Sequence, residues 1–158
     1  MNILLYLMIA FSFTLKPKEA VEKQHQYVLQ KNIPGKEFTF GNIKKEGSEL
    51  HLTYLGNVVT AKKKHYKIVI SVWYWGHATS RIFIYTDKNE YYGQYDLGDT
   101  CDLPSGLNHN SLVFGKIKGC NCTDAVTIDF GNGIPSGFFK PCKNGMGDIF
   151  SFNSDKNF

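Results

Sequence analysis

The ten residues from Tyr66 to Trp75 constrain the fold more than any other stretch. With the two-residue period of a strand, Tyr66, Ile68, Ile70, Val72 and Tyr74 line one face, and Val69, Ser71, Trp73 and Trp75 the other. Both faces are largely apolar, so both must be covered, and the strand must be central in its sheet. The rest of the chain has to supply neighbouring strands and a cover for each face.

Short segments of strand character follow at intervals. They are Phe38 to Phe40, Leu50 to Tyr54 (where His51 and Thr53 alternate with apolar residues), Arg81 to Tyr85, Tyr91 to Leu97, Leu112 to Ile117, Ala125 to Phe130 and Ile149 to Phe152. Gly56-Asn57, Gly76 and the hairpin loop Asp87-Lys88-Asn89-Glu90 punctuate them. One stretch has helical spacing: in Pro17 to Lys31, Val21, His25, Val28 and Leu29 fall at i, i+4, i+7 and i+8, with Pro17 suited to the first turn and Ile33-Pro34-Gly35 ending it. The expectation is an all-β single-domain antiparallel β-sandwich, or a barrel, with a short N-terminal helix. Gly98 to Asn110 and Gly131 to Gly147 read as long irregular loops.

Met1 to Thr14 carries no charged side chain, and its apolar run from Ile3 to Phe11 is too short to span a bilayer. It is expected to be a signal peptide, leaving residues 15–158 as the folded domain of a secreted or periplasmic protein with no transmembrane segment. The cysteines agree: Cys101, Cys120, Cys122 and Cys142 are even in number and confined to the last third of the chain. A Cys120–Cys122 bond would close a very tight loop, so Cys101 is expected to join Cys120 or Cys122, and Cys142 the other. A zinc site is the competing reading, but zinc modules pair ligands as C-x2-C and this chain offers C-x-C. Asn121-Cys122-Thr123 fits the glycosylation sequon, which matters only in a eukaryotic secretory pathway.

Charge is divided unevenly. Residues 15–70 hold 11 Lys against 5 Glu, a net +6, and residues 71–158 hold 7 basic and 9 acidic side chains, a net −2. The densest run, Lys62-Lys63-Lys64-His65-Tyr66-Lys67, reads either as an anion-binding patch or as lysines guarding a strand end against aggregation. With one Arg against 17 Lys the chain lacks the usual means of bidentate base reading, so nucleic acid is not expected as a partner.

The richest cluster of chemistry is Val72 to Arg81, which holds both tryptophans, His77, Ser80 and the single arginine. Trp73 and Trp75 on one strand face would form a stacking platform if open, or core if covered. The following strand places Tyr92, Gln94 and Asp96 on one face by the same period. The candidate binding set is therefore Trp73, Trp75, His77, Tyr92, Gln94 and Asp96. A catalytic alternative would use His77 with Asp96 or Asp99, or His77 with Ser80 and Asp87 as a triad, while Asp96, Asp99 and Asp102 are the carboxylates open to a glycosidase. Asp129-Phe130-Gly131 matches the kinase triplet without its companion loops, and Asp87-x-Asn89 lacks the glycine and glutamate of a calcium loop. No H-x-x-x-H or H-x-H spacing occurs, so no metal and no cofactor is expected.

The functional expectation is an exported non-enzymatic binding protein whose partner is a protein or a glycan, with an inhibitor or immunity-type role as one version. Two alternatives stand beside it: a small secreted hydrolase built on His77, and a structural cell-surface subunit.

Overall fold

In the computed structural model the described residues are 17–41, 49–75, 77–117, 119–120, 125–142 and 146–156, without the side chains of Pro17, Trp75 and His77. The expected signal peptide, Cys122 and the Asn121 sequon lie outside them. Helix α1 (Pro17–Lys31) opens the described chain, followed by β1 (Glu37–Phe40), β2 (Glu49–Val59), β3 (His65–Trp75), β4 (His77–Thr86) and β5 (Tyr91–Asp96). Then come a 3-10 turn (Thr100–Asp102), β6 (Gly106–Asn108), β7 (Ser111–Phe114), β8 (Val126–Asp129), β9 (Gly137–Pro141) and β10 (Gly147–Asn153). Seven strands form one antiparallel sheet in the order β1-β2-β3-β4-β5-β10-β9, and β6-β7-β8 form a second. The all-β sandwich-like fold with one short helix is therefore shown.

Helix α1 forms where the apolar spacing placed it. Glu19 in its first turn and Lys31 in its last match the helix dipole. Asn32, at φ 50°, ends it in the left-handed conformation while its N–H donates to the Val28 carbonyl at 3.2 Å. Val21, His25, Val28 and Leu29 are all buried, so the whole predicted stripe faces the sheet. They pack on Leu50, Leu52, Tyr54, Val69, Phe83 and Tyr85.

The other face of the large sheet carries Val58, Tyr66, Ile68, Ile82, Ile84 and Tyr95 together with Phe138 of β9 and Phe150 of β10, and Leu97, Leu112, Phe114 and Phe130 pack against it. β3 is thus flanked by β2 and β4 and covered on both sides, as its sequence required. In β5 the register slips: Ile84 faces Gly93 but Tyr85 faces Tyr91, leaving Tyr92 as the extra residue of a bulge. A Cβ on Gly93 would lie 2.0 Å from the Phe152 ring, so only glycine lets that ring lie against the strand.

The stretch Gly131 to Gly147, expected to be irregular, contains β9 and begins β10. The strand was hidden because Lys140 occupies a core-facing position beside Phe138. Its ammonium is buried, 2.7 Å from both Asp102 Oδ1 and the Cys101 carbonyl oxygen. This pair ties β9 to the loop closed by the Cys101–Cys120 disulfide, one of the two pairings the sequence allowed. Cys142 is disulfide-bonded as well. No described helix is long and apolar enough to cross a membrane.

Candidate functional site

α1 covers the helix-side face of the large sheet over Tyr54, Val69, Phe83 and Tyr85 but does not seal it to the end of β3. Strand register builds what lies beyond. Ser71 faces Arg81 and Arg81 faces Asp96, while Trp73 faces Thr79. By strand parity these side chains share the helix-side face, with Trp73 diagonal to Arg81 at about 7–8 Å. Ser71 is buried, Trp73 is half-buried against the α1 cluster, and Thr79 is exposed. Arg81 Nε lies 2.6 Å from Asp96 Oδ1, with the two side chains 33% and 53% exposed.

A buried amide supports that ion pair. Gln94, with no exposed surface, donates from Nε2 to Asp96 Oδ1 at 2.9 Å. Tyr91 Oη lies 3.2 Å from Gln94 Oε1 and 2.9 Å from the Asp155 carbonyl oxygen, and its one proton serves a single acceptor at a time. Burial first, and then the Asp96 carboxylate, push the Tyr91 hydroxyl up to about 12, so it stays a donor. Beneath α1, His25 Nδ1 sits 2.7 Å from the Tyr85 hydroxyl. Burial, helped by the Arg81 charge, lowers His25 to about 3, so the ring is neutral at ordinary pH. Tyr85 is pushed upward mainly by burial and stays protonated.

The predicted set is therefore only partly assembled. Trp73, Gln94 and Asp96 share one face, with Gln94 reaching the surface through Asp96 and not directly. Tyr92 does not join them, because the bulge turns it to the opposite face, where its ring meets Tyr66 at 4.8 Å and Phe152 at 5.6 Å. The backbones of Trp75 and His77 pair across β3 and β4, but their side chains lie outside the described residues. Ser80 is buried and its hydroxyl donates to the Asp99 carbonyl. Asp102 is held by Lys140, and Asp87 is exposed in its turn. Asp99 accepts from the Cys101 N–H at 3.2 Å, and that backbone hydrogen bond holds its carboxyl below the usual range.

Sequence reasoning missed a second cluster. His51, on β2, has Nδ1 2.9 Å from Glu37 of β1 and Nε2 3.2 Å from Glu49, with the Tyr74 ring edge-on at 5.0 Å. Its slight burial works against the charged form, but hydrogen bonds donated by the ring to both carboxylates outweigh this and raise its pKa. Glu49 two residues from His51 on one strand was a legible hint; Glu37 was not, because it arrives only through β1–β2 register. Among the described residues no group of three or more His, Cys, Asp or Glu side chains could hold a metal ion. No family model, curated protein or solved structure matches the chain.

Proposed function

We propose that this chain is an exported, non-enzymatic binding protein that takes a protein or glycan partner on the open end of its helix-side face. The observation that carries the reading is the Arg81–Asp96 pair, half-exposed beside Trp73 and supported from below by Gln94. A planar guanidinium, a carboxylate and an indole offer donors, acceptors and a flat apolar surface within one small area. A buried amide that fixes Asp96 reduces the ordering cost of binding.

Two further observations favour binding over hydrolysis. The Ser80 hydroxyl is buried and engaged by backbone, which does not suit a nucleophile. Asp96 and Asp102 are each paired to a cation, which does not suit a general base. The disulfide supports an oxidising, extracytoplasmic setting.

The test is capture from the source organism's own envelope and secretions, run beside a glycan array, with wild type, Trp73→Ala and Arg81→Gln. Partner capture should fall at least tenfold in both variants. Undiminished capture by Arg81→Gln, or release of a hydrolysed product from the captured partner, would overturn the reading.

A further inference from the structure

At the far end of the same sheet, β2 and β3 are joined by a turn whose residues 61 to 65 are all exposed. Three of them are Lys62, Lys63 and Lys64, and His65 follows. The turn is firmly built: Thr60 N–H donates to the Lys64 carbonyl at 2.9 Å, Lys63 N–H to the Thr60 carbonyl at 2.8 Å, and Ala61 N–H to the Gly131 carbonyl at 2.6 Å. Lys63 holds φ 60°, a left-handed conformation usually left to Gly, Asn or Asp. A lysine at that position gains the turn nothing, which points to its charge.

None of the three lysines forms an ion pair with a described carboxylate. The charged groups nearest in the adjoining strands and turns are Lys67 of β3, Asp87, Lys88 and Glu90 of the β4–β5 turn, and Asp129 at the end of β8. Lys67 donates to Asn89 Oδ1 at 2.6 Å, and Asp129 accepts from Gly131 N–H within its own turn. The lysine triplet therefore stands as an exposed cationic cluster on a hydrogen-bonded turn. β3 separates it from the Trp73 end by roughly 30 Å at the rise of a strand.

The exposure and chemistry favour one partner. Five consecutive exposed residues, three of them lysines, can meet a charged plane together. Lysine is a hydrated point charge suited to diffuse attraction, whereas specific bidentate recognition draws on arginine. We propose that Lys62, Lys63 and Lys64 dock the protein on an anionic lipid surface, leaving the Trp73 end directed away from it. The attraction is electrostatic and peripheral, since the tip carries no large apolar side chain to insert.

The experiment is co-sedimentation with phosphatidylglycerol-rich and pure phosphatidylcholine vesicles at low and high salt. Wild type should bind the anionic vesicles alone and leave them at high salt. The variant Lys62→Gln/Lys63→Asn/Lys64→Gln should bind ~100-fold more weakly, since each lysine near such a surface contributes about fivefold. Asn at position 63 suits the left-handed turn, so its melting temperature should match wild type. If that variant melts early, Lys62→Gln alone should still show a ~fivefold loss. Equal binding to both vesicle types, unchanged binding by the variants, or wild type that binds heparin and no vesicle would overturn the proposal.

Discussion

The two faces of the seven-stranded sheet are covered by different means. On one side the second sheet presses an almost wholly aromatic and aliphatic layer against β2 to β5 and the β10–β9 end of the large sheet, with the Lys140–Asp102 pair at its margin. On the other, a single helix covers part of the face and brings polar groups with it: His25 on Tyr85, Gln26 on the Asn89 carbonyl at 2.8 Å, and Glu22 on Lys156 at 2.5 Å. The aromatic face is closed over its centre, with Tyr74, Tyr92 and Glu37 exposed towards its edges, and contributes stability. The helix face is closed only in part, and the open remainder holds the polar constellation proposed to bind a partner. The difference shows how one sheet separates holding together from holding something else.

Acid breaks the helix face first. His25 titrates near its ordinary 6.5 when unfolded but only at about 3 when folded. A depressed folded pKa means its stabilisation is complete above pH 6.5 and is lost as pH falls toward 3, in total by about 5 kcal/mol. Urea midpoints of wild type should fall across this window, and those of His25→Gln, which cannot titrate, should show a much flatter acid limb. Parallel limbs would contradict the assignment. The aromatic face should instead be the more sensitive to lost volume. Phe114 is completely buried between the two sheets, so Phe114→Ala should cost about 3–5 kcal/mol in the same unfolding measurement, with no change in pH dependence.

A smaller effect sharpens the comparison inside the helix face. Tyr85→Phe removes the hydroxyl facing His25 Nδ1 and should cost about 1–3 kcal/mol. The half-buried cluster at His51 should respond to pH in the opposite sense to His25. Its folded pKa is raised, so its stabilisation is present below the unfolded value of 6.5 and is lost as pH rises through the folded one. Melting temperature should drift down across that interval in wild type, and the drift should be absent in His51→Gln.

Much of this was legible from the chain. The helix bounds and its buried stripe followed from apolar spacing, and the central place of β3 from its two apolar faces. That Cys101 pairs with Cys120 or Cys122 followed from cysteine number and from the strain of the tight alternative, and the choice of Cys120 is made only by the fold. What escaped depended on contacts distant in sequence. β9 reads as a loop because Lys140 sits at a core position, acceptable only with Asp102 some forty residues earlier to receive it. Alternation puts Tyr92 on the wrong face because it fails wherever a bulge adds a residue, and Gly93 is a hint of one that does not say which residue is extra. Gln94 and Asp96 were found by type, but Arg81 enters the site only through the register that sets β4 against β5.

The central claim is that the open end of the helix face binds while the covered end stabilises. The most direct measurement pairs melting temperature with partner capture for Arg81→Gln and Tyr85→Phe. The account predicts a crossover: Arg81→Gln loses capture with less than about 1 kcal/mol of stability, since its ion pair is partly exposed. Tyr85→Phe should lose stability and keep capture. An Arg81→Gln protein that melts early while capturing normally would contradict it and return the site to a structural role.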